Sequence, residues 1–442
     1  MRHLVVVGAG IVGLSCAWAA QGRGFHVTVV DRDFEGDRAS HGNAGGIAVS
    51  ECVPLSLTGM GLKPLRWLLD PLGPLAIRPG HAPRLLPWYL ALRKVGDPAT
   101  YARIGDALAS LNQLCLADFE AMLGDLGLSA DLHKRGALTV YETDAAYADD
   151  QASWQFKRDR GVRWRSVDLS ELRELEPGLA PVFKHAVMLE DWAHIDDPKR
   201  IVDVLRQKVL ERGAAFVRGD ATSVETGGAG GVGGVGGTGG TGGTGGTGGA
   251  GSASRSAGSS NVAVRTSDGR LVASDKVLIA AGAWSARLAR TVGDRALVES
   301  ERGYNTTLPR SAGRLNREVI FAERMFVATP LAIGLRIGGA AEFAGLDAAP
   351  NFKRSEALLK LARRYLPDLE DAGAKQWMGN RPTTPDSLPV IGASPKNPDI
   401  LYAFGHGHLG LTQSATTASL IAQLLANERP RVDLAPYSIA RF

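Results

Sequence analysis

The chain has 442 residues, of which 44% are hydrophobic, and its formal net charge at pH 7 is +4. This length predicts about two to three domains, and the weak charge, without a block of lysine and arginine, argues against nucleic-acid binding. The three cysteines (Cys16, Cys52 and Cys115) have no C-x-x-C spacing, which argues against a disulfide framework and against a zinc or iron–sulfur site.

The first predicted elements are a strand, a turn and a helix. Residues 4–7 are apolar and mostly β-branched, which predicts a buried parallel strand. Residues 14–20 predict a helix, and a second strand at 26–30 ends on Asp31. The turn at 8–13 reads G-x-G-x-x-G. With strand, helix and a later acid all present, this pattern is typical of a dinucleotide-binding site.

Each residue of this motif has a physical role in the predicted site. Gly8 permits the tight turn, Gly10 lets the backbone approach a pyrophosphate, and Gly13 lets the helix pack on the strand. The helix N-terminus then faces the phosphates, and Asp31 accepts hydrogen bonds from the ribose hydroxyls. The motif does not separate NAD from FAD. Its place at the start of a long chain, with no second copy, favours FAD.

The next segments change in composition. Residues 38–47 are small and include the polar Ser40 and Asn43, which suits a loop that crosses a bound cofactor, although a plain surface loop is the alternative. Residues 55–92 are rich in proline, leucine and tryptophan and predict short helices broken by prolines. These helices could form the core of a cap, cover a substrate cavity, or present an apolar patch to a membrane or partner protein. A long amphipathic helix is predicted at 101–124.

The middle of the chain alternates strands and helices. A strand is predicted at 136–141, and proline-bounded helices are predicted at 171–177 and 199–212. Two strands, at 214–225 and 261–266, flank an insertion at 227–260. That insertion is almost entirely glycine, threonine, alanine and serine, so it cannot form a core and predicts a flexible hairpin loop.

The last third contains the remaining candidate site elements. A buried strand at 275–285 delivers small residues to the start of a helix, and strands return from 300 to 375. A strand at 400–404 leads into the glycine-rich turn 405–412, followed by a helix to about 425. This turn predicts a second helix dipole, suited to the pyrimidine edge of a reduced flavin.

Taken together, these segments resemble the D-amino acid oxidase (DAO) superfamily of FAD-dependent amine oxidoreductases. Within it, they are most similar to the D-amino acid dehydrogenase branch, which includes D-hydroxyproline dehydrogenases. The resemblance covers nearly the whole chain except the glycine-rich insertion. The segments that carry it are VVVGAGIVGLS, SHGNAGGI, RWLLDPLGPL, AAGAWS, ERGY, GNRPTTPDSLPVIG and GHGHLG.

The resemblance implies an α/β fold: a Rossmann-type FAD-binding domain with an interleaved α+β substrate and cap domain, as in glycine oxidase and D-amino acid oxidase. The FAD-binding domain is expected to be discontinuous and to comprise residues 1–50, 190–299 and 376–442. The substrate-binding domain is expected to comprise residues 51–189 and 300–375, with the insertion outside both.

The resemblance also implies site residues. Arg381 would clamp the substrate carboxylate, with a surface salt bridge as the alternative. Sarcosine oxidases that bind flavin covalently carry a cysteine at this position, so the flavin here is expected to be non-covalent. His408 would lie by the flavin pyrimidine edge, with a structural histidine at a helix start as the alternative, and Tyr304 and Arg336 would form the active-site wall. The expected cofactor-binding residues are Gly8, Gly10, Ile11, Val12, Gly13, Asp31, Arg32, Ser40, His41, Asn43, Ala44, Gly45, Gly46, Ile47, Ala221, Ala281, Gly282, Trp284, Gly405, Gly407, His408, Leu409, Gly410, Leu411 and Thr412.

The implied reaction is the oxidative deamination of a small or cyclic D-amino acid, such as D-alanine, D-proline or cis-4-hydroxy-D-proline. Hydride would pass from Cα to flavin N5, and the imine would hydrolyse to a 2-oxo acid, with electrons passing to a quinone or to oxygen. Three alternatives stay open: a glycine- or sarcosine-type amine oxidase, a flavin-bearing subunit without independent turnover, and an NAD-dependent dehydrogenase. The sequence predicts neither a signal peptide nor a transmembrane helix, so we expect a cytoplasmic protein with at most peripheral membrane contact.

Overall fold

The computed structural model describes residues 2–56, 73, 75–227 and 261–442. Its first sheet has six strands, and the predicted strand–turn–helix unit contributes β1 to it. Five strands run parallel, and the strand at one edge is antiparallel to its neighbour. In spatial order the strands are β10 (Ala215–Arg218), β2 (His26–Asp31), β1 (His3–Val7), β14 (Lys276–Ile279), β21 (Ile400–Phe404) and β20 (Val390–Ala393).

Three helices pack beside this sheet. Helix α1 (Ile11–Gly22) packs against α7 (Pro198–Glu211) and α10 (Ser414–Leu425). The N-terminus of α7 is capped by Asp197, whose side chain accepts a hydrogen bond from the backbone N–H of Lys199 at 2.9 Å. All three helices bury apolar side chains in one core with β1 and β2, as expected for a sheet covered by helices.

A second, nine-stranded sheet lies next to the first in the fold. Most of its strands pair antiparallel, and helices α6 (Leu169–Leu175) and α9 (Lys353–Ala362) contribute to its core. Along the main path the strands are β19 (Lys375–Thr383), β15 (Glu299–Leu308), β18 (Gly334–Phe343), β17 (Phe326–Leu331), β16 (Glu318–Phe321), β6 (Ala137–Tyr141), β8 (His185–Leu189) and β7 (Trp164–Val167), and β4 (Leu75–Ile77) pairs with β18.

Two small sheets and further helices complete the described fold. One three-stranded sheet is β11 (Ala221–Thr226), β12 (Val262–Thr266) and β13 (Leu271–Ser274), and the other is β3 (Gly46–Ile47), β9 (Ala193–Ile195) and β5 (Leu132–His133). The further helices are α2 (Ala82–Lys94), α3 (Pro98–Leu126), α4 (Asp144–Asp149), α5 (Gln151–Arg158) and α8 (Ser285–Thr291). The predicted α/β class is confirmed, whereas the domain boundaries stay a prediction.

One predicted strand is wrong. Residues 214–225 form two strands, β10 and β11, which belong to different sheets. The chain changes sheets at Gly219 and Asp220: the Gly219 N–H donates to the carbonyl of Asp31 at 2.9 Å, and the Asp220 carbonyl accepts from the N–H of Ser267 at 2.8 Å. Hydrogen-bond partners on two separate sheets therefore divide a segment that looks continuous in the sequence.

Proline does not break the cap segment where the structure describes it. Helix α2 continues through Pro87, contrary to the prediction of short helices broken by prolines. Proline removes one helical hydrogen bond, but the buried side chains of Leu85, Trp88 and Leu92 hold the helix in place, and the indole N–H of Trp88 donates to the carbonyl of Thr383 at 3.0 Å. Most of the RWLLDPLGPL segment lies outside the described residues.

The glycine-rich insertion is flanked by β11, which is the second part of the segment predicted as one strand at 214–225, and by β12, at the predicted strand 261–266. Strands β11 and β12 pair antiparallel, and Thr226 lies opposite Val262 at the end of the ladder. Residues 228–260 lie outside the described residues. The hairpin that carries the insertion is therefore confirmed by its flanks.

Candidate active site

A cavity of about 770 Å³ lies between the six-stranded and the nine-stranded sheets. The first sheet contributes the carboxyl ends of β1 and β2, and the second contributes residues from β15, β16 and β19. At one end the wall contains Asp31, and at the other it contains Arg381 and His408. The carboxyl ends of parallel strands are where α/β folds bind their ligands.

The glycine turn between β1 and α1 forms the wall of the Asp31 end. Gly8 has a φ of +112°, and a Cβ there would lie 2.4 Å from the carbonyl oxygen of Ala280. A Cβ at Gly13 would lie 2.0 Å from the carbonyl oxygen of Gly8. Gly10 differs, because a Cβ there would meet only the Ser40 hydroxyl, at 3.4 Å. The fold itself therefore requires glycine at positions 8 and 13. At Gly10 the missing side chain instead leaves open space on the cavity side.

Asp31 is held rigidly at the end of β2. Its Oδ2 accepts from the backbone N–H of Ala9 at 2.6 Å, and its Oδ1 accepts from the N–H of Asp33 at 2.9 Å. Beside it, the Arg32 guanidinium stacks on the Trp284 ring at 3.9 Å from the ring centroid. Carboxylate oxygens retain further acceptor capacity. The Asp31 end can therefore accept hydrogen bonds from a ribose and offers a planar stack nearby.

The loop 38–47 borders the cavity and connects its two ends. The Ser40 hydroxyl accepts from the N–H of Ile11 at 3.0 Å, at the N-terminus of α1. The Asn43 amide nitrogen donates to the carbonyl of His408 at 3.4 Å. The loop therefore runs from the glycine turn to the second glycine-rich turn, as expected for a segment that crosses a cofactor.

Arg381 is placed at the far end by a carboxylate and a glycine. Its Nη1 donates to Glu301 Oε1 at 2.7 Å, and Glu301 Oε2 accepts from the Thr383 hydroxyl at 2.9 Å. The guanidinium lies on the Cα of Gly303, where a Cβ would be 2.3 Å from Nη2. Because a guanidinium has five N–H donors, the pair with Glu301 leaves Arg381 donors for a second anion.

Positively charged side chains at the Arg381 end of the cavity determine whether its carboxyl groups are ionised. Burial acts to raise the pKa of Glu301, but Arg381 beside it lowers that pKa overall. Glu51 borders the cavity and accepts from Lys157 Nζ at 2.7 Å. Burial also acts to raise the pKa of Glu51, and Lys157 lowers it overall. Both carboxyls are therefore ionised and paired at neutral pH.

His408 lies on the same wall, and its residue is exposed at the open cavity. Desolvation by the surrounding protein lowers its pKa, and this effect exceeds the opposite influence of Glu51 and Glu301. An imidazole whose pKa falls below its usual 6.5 is uncharged at pH 7. His408 thus supplies a polar group without adding a positive charge to that of Arg381.

Tyr304 and Arg336 have partners away from the cavity. Tyr304 borders it, but its hydroxyl donates to Glu342 at 2.5 Å and accepts from the N–H of Asn351 at 3.0 Å. Arg336 does not border it. The Arg336 guanidinium donates to the carbonyl of Asn43 at 2.5 Å, to that of His41 at 3.2 Å and to the Thr307 hydroxyl at 3.0 Å. Arg336 thereby positions the loop, and substrate contact by these two side chains stays a prediction.

Most of the expected cofactor residues border the cavity, and the rest lie behind its wall. The latter group contains glycines at turns and side chains packed in the interior. Those on the wall are Gly8, Gly10, Ile11, Val12, Asp31, Arg32, Ser40, Asn43, Ala44, Gly46, Ala221, Ala281, Gly282, Trp284, Gly407, His408, Gly410 and Leu411. Those behind it are Gly13, His41, Gly45, Ile47, Gly405, Leu409 and Thr412.

Sequence reasoning missed several residues of the Arg381 end. Glu51, Trp192, Glu318 and Trp377 border the cavity there. Glu318 precedes the apolar run Val319–Phe321, and an ionisable residue in a buried strand was a signal that could have identified it. Glu51 and Trp192 lie in segments without a recognisable motif.

Within the described residues, no group of three or more histidine, cysteine, aspartate or glutamate side chains is arranged to hold a metal ion. None of the described helices is long and apolar enough to cross a membrane.

Comparison with known proteins gives a family match over most of the chain. Residues 3–424 match the model of the family described as FAD dependent oxidoreductase (DAO). The chain is 33% identical to the D-amino-acid oxidase of Bradyrhizobium diazoefficiens, over 100% of this chain and 99% of that protein. It is 28% identical to the D-amino acid dehydrogenase of Chromohalobacter salexigens, over 100% and 99%.

Solved structures share the fold. The glycine oxidase of Geobacillus kaustophilus superposes with a TM-score of 0.70 at 21% identity, and all of both chains is covered. The L-proline dehydrogenase of P. horikoshii superposes with a TM-score of 0.71 at 17% identity, covering 100% of this chain and 97% of that one. At these identities the likeness shows the fold alone.

Proposed function

The chain belongs to the DAO family of FAD-dependent oxidoreductases, and on this premise we propose that it catalyses the oxidative deamination of a small or cyclic D-amino acid. D-Alanine, D-proline and cis-4-hydroxy-D-proline are the candidate substrates. The names of the relatives, D-amino-acid oxidase and D-amino acid dehydrogenase, support the D-amino acid class. The single observation that carries the proposal is Arg381, which has unused donors at one end of the cavity.

The residues at the Asp31 end fit FAD. The open space beside Gly10 suits a pyrophosphate at the N-terminus of α1, since the helix dipole favours an anion there. Asp31 would accept the ribose hydroxyls, and the loop 38–47 would lie along the rest of the cofactor. The described cysteines are free and buried and do not border the cavity, which supports non-covalent binding. When bound, FAD supplies the two-electron acceptor for the Cα–H bond.

At the other end, Arg381 would orient the substrate. The planar guanidinium can donate two parallel hydrogen bonds to a carboxylate. Glu301 and Gly303 fix its plane, so the substrate carboxylate would have one defined position. This anchoring would decide which face of Cα meets the cofactor, and hence the preference for one enantiomer.

The electron acceptor is proposed to be a quinone or oxygen, and the location cytoplasmic with at most peripheral membrane contact. The free cysteines fit a reducing compartment. Helix α2 presents Leu86, Tyr89 and Leu90 outward, each more than 40% exposed. Because Arg93 and Lys94 follow them, this helix is a candidate surface for contact with a membrane or with a partner subunit.

A substrate panel tests the proposed function. Purified protein should be yellow, and D-alanine, D-proline or cis-4-hydroxy-D-proline should bleach the flavin without oxygen. Bleaching by glycine or sarcosine alone would instead indicate the amine oxidase alternative. Protein that holds FAD but turns over none of these with dye acceptors would indicate a flavin-bearing subunit, and a colourless protein that refuses FAD would refute the proposal.

A further inference from the structure

Glu318 is a buried carboxyl on the wall of the cavity. Its residue is 3% exposed, and it borders the cavity together with Trp192. Among the described residues its Oε2 makes no well-aligned hydrogen bond, and neither do Trp192 Nε1 and the Thr329 hydroxyl. Oε2 packs against Gly46, where a Cβ would lie 2.3 Å from it and 3.0 Å from Trp192 Nε1. Trp192 and Thr329 thus lie close enough to stabilise the carboxylate weakly, but within the described residues Oε2 keeps its capacity to accept a further hydrogen bond.

The position of Glu318 is set by the nine-stranded sheet. Thr307 lies opposite Arg336, and Arg336 lies opposite Thr329. On the next strand, Val319 pairs with Ala328. Glu318, one residue before Val319, therefore lies beside Thr329 and continues this row. Directly opposite residues share a face of an antiparallel sheet, so the row faces the loop that Arg336 holds. Glu318 is thus mounted on a rigid strand beside the loop that crosses the cofactor.

Glu318 lies at the substrate end of the cavity. Its Oε2 packs against Gly46. Three residues earlier in the same loop, the Asn43 amide donates to the carbonyl of His408 at 3.4 Å, and His408 borders the cavity together with Arg381. Glu318 therefore lies beside the part of the loop that reaches the His408 turn.

Among the cavity carboxyls of this end, Glu318 has no cation as a partner within the described residues. Glu51 is paired with Lys157, and Glu301 is paired with Arg381. Both pairs keep their carboxylates ionised and make them weak bases. The remaining base, His408, is weakened because desolvation by the protein around the cavity and the charge of Arg381 lower its pKa.

The electrostatic surroundings make Glu318 the strongest base of the group. Burial raises its pKa to about 7, and the charge of Glu51 adds to this shift. Nearby Trp192 and Thr329 oppose it. Four other ionisable groups of the described residues lie on neighbouring elements. Arg317, which precedes Glu318, is paired with Glu176, and Lys157 is paired with Glu51. Arg336 in the same row directs its donors to the loop and to Thr307, and burial lowers the pKa of His194 on β9 to about 4.

An amino acid arrives with a protonated α-ammonium group, and oxidation to an imine needs the nitrogen lone pair. We propose that the Glu318 carboxylate accepts the proton that this ammonium group loses, an inference that rests on the proposed function. One N–H bond breaks with its electron pair retained on nitrogen, and one O–H bond forms on the carboxyl. The ammonium and the carboxylate both become neutral, and no oxidant is consumed. Arg381 and Glu318 would then bind the two ends of the zwitterion.

The test compares Glu318→Gln with the wild-type holoenzyme in anaerobic flavin reduction over a range of pH. Wild-type reduction should accelerate as pH rises through an apparent pKa near 7, because the acceptor must be ionised. Glu318→Gln should be slower at pH 7 by at least about 100-fold, and it should recover at a pH at which the free substrate amine is itself neutral. The control is Asp294→Asn, which removes another buried carboxyl, one that accepts from the Ser394 and Tyr402 hydroxyls and does not border the cavity, and it should keep the wild-type pH profile.

A second readout does not need turnover. 2-Aminoisobutyrate has no Cα–H bond, so its binding can be followed from the flavin spectrum without oxidation. Wild-type affinity should fall as Glu318 becomes protonated below pH 7, whereas the affinity of Glu318→Gln should not follow this titration. Trp192→Phe removes an N–H that stabilises the carboxylate, so it should move the apparent pKa of flavin reduction upward.

The outcomes separate this inference from the proposed function. Reduction of the wild type by a D-amino acid, together with an unchanged pH profile in Glu318→Gln, overturns the proton-acceptor role alone. If Glu318→Gln does not fold, an unshifted pKa in Trp192→Phe overturns it. If no D-amino acid reduces the wild-type flavin, the proposed function fails instead.

Discussion

The pair formed by Arg381 and Glu301 gives a prediction that tests the carboxylate anchor by comparing a single variant with a double variant. Arg381→Ala removes the group that would bind the substrate and leaves the Glu301 carboxylate without its cation. The double variant Arg381→Ala/Glu301→Gln removes the guanidinium as well but leaves no uncompensated charge. If Arg381 is the anchor, the single variant should bind substrate more weakly than the double variant, although it differs less from the wild type.

The magnitude follows from the geometry of the pair. Hydrogen bonds to a charged group contribute about 1.5–3 kcal/mol, which corresponds to a loss of about 10- to 150-fold in affinity. In Arg381→Ala, Glu301 would also repel the substrate carboxylate. At a separation of roughly 6 Å and an effective dielectric constant of about 20, this repulsion costs about 3 kcal/mol. The second substitution should therefore restore affinity by at least about tenfold.

The assay is anaerobic titration of flavin reduction with the best D-amino acid of the panel, with the flavin content of each variant as the control. A folded, FAD-loaded Arg381→Ala protein with wild-type affinity would refute the anchor. Equal affinities of the single and double variants would refute the view that Glu301 shares the guanidinium with the substrate.

Further predictions concern the glycine turn at residues 8–13, the pH dependence of stability and the insertion. Gly13→Ala forces a Cβ against a backbone oxygen 2.0 Å away and should destabilise the fold by about 3 kcal/mol. Gly10→Ala should change the free energy of unfolding by less than about 1 kcal/mol, which thermal unfolding would measure. It should nevertheless weaken FAD binding in a titration with FAD. Wild-type FAD affinity in Gly10→Ala would contradict the assigned role. The pKa of His194 is lowered to about 4 in the fold, chiefly by burial. Below pH 6.5 the unfolded state therefore takes up a proton that the folded state does not. The free energy of unfolding consequently decreases as the pH is lowered. His194→Gln should therefore lose about 2 kcal/mol less stability between pH 7 and pH 5 than the wild type in urea titrations, and equal losses would contradict this. Replacement of residues 228–260 by an Asn-Gly turn should leave flavin reduction unchanged and stabilise the protein by up to ~2 kcal/mol, because a shorter loop costs less entropy to close; loss of flavin reduction would assign the insertion a role.

Local sequence determined the elements and one end of the site. The strand at residues 4–7, the glycine turn and the helix after it could be predicted because apolar periodicity and glycine geometry act over a few residues. The same holds for the turn 405–412 and for the helix that follows it. Gly13 was assigned to helix packing from the motif alone, and the 2.0 Å approach to Gly8 agrees with that role.

Tertiary structure decided which side chains meet at the other end. Glu301 and Arg381 lie 80 positions apart in the chain, and Lys157 and Glu51 lie 106 apart; both pairs depend on how separate strands and helices pack. The same packing directs Arg336 to the loop rather than the cavity, and within the part of the chain that the structure describes it leaves the Glu318 carboxyl buried without a cation. Sequence periodicity shows that a residue is buried, but only the packing of distant elements determines its partners, its charge and therefore its chemistry.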